Sequence, residues 1–182
     1  AKGQIRRFLK GTGNSSETIW FDTWISGYHF VFLGGEAAGL HADLSNAQLA
    51  WLEETLAKDR VEGRPTFLFL HQGLMDTVAG TFKYQDWHGV KQSAQLRRIL
   101  RQYPEVVLFS GHSHWTMESA HTVKPADGSL PSVVSTASCA YLWDDSCIAT
   151  NVGIVGSEGY YIYLYENCLI IRGRSFDRGE WI

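Results

Sequence analysis

The chain has 182 residues, a net charge of −3 and 45% apolar residues, enough for one domain with a sizeable core. Its slight acidity gives no electrostatic basis for a nucleic-acid or acidic-membrane partner, and no run reaches the ~20 apolar residues of a membrane span. Cys139, Cys147 and Cys168 are odd in number and lack C-x-x-C spacing, so they indicate neither a disulfide framework nor a zinc ribbon.

The opening Ala1-Lys2-Gly3-Gln4 has neither an initiator Met nor a signal-peptide pattern and reads as the interior of a longer protein. Residues 1 to 20 are polar, with Gly11, Gly13, Asn14, Ser15 and Ser16 reading as a loop. Tyr28 to Leu33 is a compact aromatic and branched run ended by Gly34-Gly35, which predicts a buried strand. Leu44-Ser45-Asn46-Ala47-Gln48-Leu49 is a helix start: Ser45 caps, Gln48 returns the bond, and Leu44 staples against Leu49. Leu49, Leu52 and Leu56 then recur on one helical face, and Gly63 to Pro65 stop the helix. Thr66 to Leu70 is a second buried strand, with His71 just beyond it.

A loop is predicted from Gln72 to about His88, and a second helix from about Gly89 to Gln102. That helix turns Val90, Leu96, Ile99 and Leu100 to the core and Arg97, Arg98 and Arg101 to water. Pro104 breaks it, and Val106 to Ser110 is the third strand. Downstream, Pro131 to Ala137 is strand-like. Gly159 to Tyr165 and Leu169 to Arg174 flank Glu166-Asn167-Cys168 as a β-hairpin.

Strand, helix, strand, helix, strand demands parallel pairing with crossover helices. Unbroken apolar strands fit a parallel sheet covered on both faces. Parallel neighbours end on the same side, so His71 and the Gly111-His112-Ser113-His114 turn leave the carboxyl edge together, where open α/β sheets bind ligands. In extended chain His112 and His114 face the same way, and Gly111 allows a sharp exit from the strand. Histidine is the commonest protein ligand for zinc and similar metals. His71, His112 and His114 are therefore the candidate metal ligands.

Three imidazoles can hold one zinc with an open position for water, whose pKa then falls to ~7. A pair of cations needs carboxylates as well; Glu36 and Asp76 are the nearest candidates, both in loops. Asp86-Trp87-His88 has D-x-H spacing but precedes a helix, and reads as an exposed loop. Asp144-Asp145 reads as a solvated turn, and His29 and His121 as structural. The seven tryptophans are scattered and read mainly as core, with Trp87 and Trp115 able to line a pocket near the histidines. No nucleophile elbow, phosphate-cradling glycine loop or dinucleotide fingerprint occurs.

Phe67-Leu68-Phe69-Leu70-His71 together with Leu108-Phe109-Ser110-Gly111-His112-Ser113-His114 resemble the calcineurin-like metallophosphoesterase superfamily. Four further features are similar: the Tyr28–Leu33 strand, the Gln48-Leu49-Ala50-Trp51-Leu52 helix, Tyr103-Pro104, and the ending from Gly159-Tyr160-Tyr161 to Gly179-Glu180-Trp181-Ile182. The resemblance runs from roughly residue 20 to the end. It implies that His71 and His112 ligate one metal and His114 the other. The family's earlier motifs (D-x-H, G-D and G-N-H-D/E) supply the bridging aspartate, a further carboxylate, an asparagine and the catalytic histidine. None occurs before His71, and Gly13-Asn14-Ser15 lacks the histidine.

The resemblance thus implies one partial domain over residues 1–182, lacking its N-terminal half. Its expected fold is α/β: the C-terminal half of a four-layer αββα sandwich, a parallel βαβαβ unit followed by antiparallel strands and a β-hairpin. The implied activity of the intact enzyme is hydrolysis of small-molecule phosphomonoesters or phosphodiesters by metal-activated hydroxide, with two divalent or trivalent ions (Mn, Fe or Zn). The fragment alone is expected to bind at most one ion weakly, to be inactive, and to self-associate through its exposed sheet face. The alternatives are a mononuclear zinc hydrolase on another α/β fold, using His71, His112 and His114, and a non-catalytic binding module built on the aromatic hairpin.

Overall fold

Each buried strand carries two apolar faces, one packed under helices and the other partly under a second sheet. The computed structural model describes residues 2–12, 18–58, 60–85 and 88–182. Helix α1 (Lys2–Thr12) is followed by β1 (Phe21–Ile25), β2 (Tyr28–Phe32), α2 (Asn46–Lys58), β3 (Thr66–Phe69), α3 (Ser93–Leu100) and β4 (Val106–Ser110). Then come β5 (Val123–Lys124), β6 (Ser132–Ser135), α4 (Asp145–Thr150), β7 (Glu158–Leu164), β8 (Leu169–Ser175) and β9 (Glu180–Trp181). The result is mixed α/β, with a six-stranded mixed sheet ordered β1-β2-β3-β4-β6-β5 and a separate antiparallel sheet, β7-β8-β9.

Strands β2, β3, β4 and β6 are mutually parallel, while β1 and β5 add antiparallel edges. Register puts Val31, Leu68, Leu108 and Val133 in one row. That row and its face-mates pack against Leu49, Leu52 and Leu56 of α2 and Leu96, Ile99 and Leu100 of α3. The opposite face is aromatic: Phe67, Val107, Phe109 and Val134, flanked by Phe30 and Phe69, take Tyr160, Leu169 and Ile171 of the second sheet. Phe21, Phe32, Phe69 and Phe109 continue this face as ring pairs at 4.7, 4.9 and 5.4 Å.

The helix start at α2 holds with its roles exchanged. Ser45 Oγ accepts from Gln48 N at 3.1 Å, as expected of a cap. The reciprocal bond to Ser45 N comes from Glu36 Oε2 at 2.7 Å, not from Gln48. The Gln48 amide is fully buried and is spent on Gly34 and on Glu36.

Several elements differ from the sequence reading. Residues 2–12 are helical, and the apolar spacing of Ile5, Phe8 and Leu9 is the signal for it. Gly13, Asn14, Ser15 and Ser16 lie outside the described residues. Helix α3 begins at Ser93 rather than Gly89, because Gly89 and Val90 are held in bridges to Gly73 and Ala42. Strand β1 forms a hairpin with β2 through the Ser26-Gly27 turn, and β6 extends the parallel set. The expected loop before His88 is largely interior, with Leu74, Thr77, Val78 and Ala79 buried. Asp144 and Asp145 are not a plain turn: Asp144 caps α4 by accepting from Ser146 N and Cys147 N, and Asp145 accepts from Gln85 Nε2 at 2.7 Å. Helix α4 is thereby tied to the loop before His88. Among the described residues no helix is long and apolar enough to cross a membrane, and the three cysteines are free.

Candidate metal centre

Backbone bonding runs past the strand ends and fixes the carboxyl edge. Leu33 N donates to Phe69 O, Leu70 N to Phe109 O, Gly111 N to His71 O and Thr136 N to Ser110 O, at 2.8–3.1 Å. The third of these bonds carries His71 and His112 to one place, as the parallel topology requires. His112 Nδ1 lies 3.3 Å from His71 Nε2, with ring centroids 5.1 Å apart.

The loop itself is not extended. His112 and His114 both have left-handed backbone, φ +54° and +58°, and Ser113 N donates back to Gly111 O at 2.6 Å. This three-residue turn replaces the i, i+2 alternation expected of extended chain. Left-handed backbone at two non-glycine residues costs energy, and such strain collects at functional sites. Gly111 does not bear it: a Cβ there would meet Thr136 and His71 at ordinary contact, 3.5 Å or more. Ser113, between the histidines, is buried, and its hydroxyl lies 3.4 Å from Ala79 O. His114 points elsewhere, its ring 4.5 Å from that of Tyr141 and its Nδ1 buried with no hydrogen-bond partner among the described residues.

Burial disfavours protonation of all three rings. Burial lowers the His112 pKa to about 4, reinforced by His71, His88, His114 and His41. Burial, then the charge on His114, also lowers His71. Burial lowers His114, against a hydrogen bond with the Tyr141 backbone that pulls the other way. Neutral imidazole is the form that ligates metal. His71 and His112 thus fit a shared ion, and the buried His114 Nδ1 fits a donor to another. Among the described residues, no three His, Cys, Asp or Glu side chains form a group able to hold an ion.

Each candidate carboxylate has one oxygen engaged by the protein. Glu36 is committed to the start of α2, and Asp76 Oδ1 accepts from Lys83 N at 2.9 Å. Trp115 is 1% exposed and stacks on Trp143 at 6.5 Å, so it is core and not pocket lining. Asp86 and Trp87 lie outside the described residues. His29 is structural, buried with Nε2 2.9 Å from Asp22 Oδ2, and exposed His121 sets its ring edge against Phe82.

No protein-family model and no curated protein matches this chain.

His41 has no signal in the sequence, and His88, expected in an exposed loop, is half-buried. The His88 ring lies 6.2 Å from that of His112, and His41 lies 4.8 Å from His88 in an edge-on pair. Both sit on loops joined by isolated bridges, Ala42 to Val90 and Gly73 to Gly89. No periodicity marks such contacts. A buried Glu158 was also not foreseen. Its carboxylate accepts from Met117 N at 2.7 Å and Thr116 Oγ1 at 3.0 Å, anchoring the chain just beyond His114.

Proposed function

We propose that this chain is the histidine wall of a two-metal phosphoesterase site and corresponds to the C-terminal part of such an enzyme. One observation carries the reading. Metal–nitrogen bonds of about 2.1 Å at tetrahedral angles leave two ligand nitrogens about 3.4 Å apart, and those of His71 and His112 stand at 3.3 Å. Burial, followed by the charge of His114 on His71 and of His71 and its neighbours on His112, already favours the neutral ligand form of both rings. In this reading His114 serves a second ion through its buried Nδ1. A three-histidine mononuclear zinc site is the weaker alternative, because no such triple is grouped among the described residues.

When bound, the ions supply positive charge to the phosphoryl group and lower the pKa of water. The chain's own part is to hold neutral imidazoles in a fixed arrangement at the sheet edge. In the same reading the six-stranded sheet, with α2 and α3 on one side, is half of an αββα sandwich, and the phenylalanine face is its interior. Bridging carboxylate and catalytic histidine belong to the D-x-H, G-D and G-N-H motifs that the sequence before His71 lacks. This chain is therefore expected to bind metal weakly and to leave phosphate esters unhydrolysed.

Calorimetric titration with Mn²⁺ and Zn²⁺ tests the reading. Wild type is expected to take up an ion that His112→Ala and His71→Ala lose and His114→Ala keeps. Equal binding by wild type and His112→Ala would sink the proposal. A longer chain carrying upstream segments, assayed on phosphomonoesters and phosphodiesters, then tests the activity.

A further inference from the structure

We infer that the outward face of the β7-β8-β9 sheet is a docking surface for an acidic segment of a partner polypeptide, whose carboxylates are held by Arg172 and Arg174 beside Trp181. None of the candidate metal ligands belongs to this face, and it needs no metal.

Successive side chains of a strand point to opposite sides of its sheet. Tyr160, Leu169 and Ile171 turn inward against the phenylalanine face of the six-stranded sheet. Tyr161, Tyr163, Ile170, Arg172 and Arg174 therefore turn outward, and Trp181 joins them opposite Arg174. The water-facing side of an antiparallel sheet is ordinarily polar. Here Tyr161 is 49% and Trp181 44% exposed, and the strands place neither lysine nor carboxylate on this side. Tryptophan, tyrosine and arginine dominate the binding energy of protein interfaces, from which lysine, aspartate and glutamate are depleted.

The two arginines are set for carboxylates. The Arg172 guanidinium lies 4.0 Å from the Trp181 ring centre and that of Arg174 5.0 Å, while the Tyr161 ring meets Trp181 edge-on at 5.2 Å. Stacking engages the flat of a guanidinium and leaves its N–H edge, which grips a carboxylate with two parallel bonds. It also restrains side chains that would otherwise lose rotamer freedom on binding. Among the described residues no carboxylate pairs with either arginine, whereas Arg60, Lys91, Lys124 and Arg178 each have one. On a chain of net charge −3 this is a local positive patch, and its complement is an acidic partner.

Two features favour a short acidic peptide over a nucleic acid. Single-stranded nucleic acid stacks its bases on open aromatic rings, and the Trp181 ring is already engaged by guanidinium and by Tyr161. A long polyanion would also meet the repulsion of an acidic chain. A short acidic segment answers the arginines alone, and the neighbouring Tyr163–Ile170 pair offers its side chains apolar contact.

The test is fluorescence anisotropy of a short labelled peptide of glutamates with interspersed leucines, titrated with the full chain. Its glutamine counterpart and a labelled oligothymidylate are the comparisons. Wild type is expected to bind the glutamate peptide and not the glutamine one. Arg172→Ala should weaken that binding by about threefold to tenfold, and the pair Arg172→Ala with Arg174→Ala by more. Arg172→Lys, which keeps the charge and loses the planar fork, should recover only part. Trp181 is a positioning residue: Trp181→Ala should lose as much as Arg172→Ala, and Trp181→Phe, which restores a ring for the guanidiniums, should regain most of it. Three results overturn the inference. They are no binding of the glutamate peptide by wild type, equal binding by wild type and the double variant, or tighter binding of oligothymidylate than of the peptide, which would make this face a nucleic-acid platform.

Discussion

Gly80 is the position at which a single methyl group should cost most. Its backbone is left-handed, φ +81°, and a Cβ there would fall 2.2 Å from Ser113 Cβ and 2.9 Å from Trp115 Cε3. Ser113 Cβ is fixed to the histidine loop backbone and Trp115 is sealed in the core, so neither yields as a flexible side-chain end would. Left-handed backbone costs alanine about 1–2 kcal/mol and overpacking adds about 1–3 kcal/mol, so Gly80→Ala should destabilise by about 2–5 kcal/mol. With a urea slope of about 2 kcal/mol per molar, the unfolding midpoint should fall by about 1–2.5 M. Gly128→Ala separates the contributions: its φ is +80° with nothing within 4 Å, so it carries the backbone cost alone. Gly80→Ala should also weaken Zn²⁺ binding, because relief of the overlap displaces Ser113 and with it His112 and His114. A Gly80→Ala midpoint no lower than that of Gly128→Ala would refute the reasoning.

Acid should destabilise the fold through His112. Its folded pKa of about 4 lies below the ordinary 6.5, so the unfolded chain binds more protons across that window and stability falls as pH drops through it. After solvent screening about 1–2 kcal/mol is expected, and His112→Ala should flatten the curve of urea midpoint against pH; an unchanged slope counts against it. Glu36→Ala removes the 2.7 Å bonds to Ser45 N and Gln48 Nε2. It should cost about 1–2 kcal/mol by thermal melt with Zn²⁺ affinity unchanged; loss of metal would make Glu36 a ligand. The half-buried Phe21, Phe32 and Phe69 end of this face should drive self-association at micromolar concentration, and Phe32→Asp should abolish it. Light scattering that finds wild type a monodisperse monomer would exclude this.

The parts of the fold legible in the sequence are those that periodicity and burial dictate locally. Three unbroken apolar runs became β2, β3 and β4, and their parallel order alone brought His71 to His112. Leu49, Leu52 and Leu56, three and four residues apart, lie in the core as their helical spacing predicts. What stayed hidden depends on partners remote in sequence. Glu36 took the capping role assigned to Gln48 because Gln48 is needed by Gly34, and Gly89-Val90 left the helix because Gly73 and Ala42 offer bridges. His41 and His88 meet only through that same loop pairing. The left-handed turns at His112 and His114 stay hidden because positive φ remains uncommon for histidine even though it is enriched there.

Those turns have a consequence for how a short loop can be used. A straight strand end would present both imidazoles to one neighbour, and they would compete for it. Wound around the sunken Ser113, the segment instead acts as a fork whose prongs address separate neighbourhoods. One prong meets His71. The other lies by Tyr141, its carbonyl pinned by Trp143 N at 2.8 Å. Two histidines of one three-residue turn thus meet different surroundings, with Gly80 of another loop packed close against the serine between them.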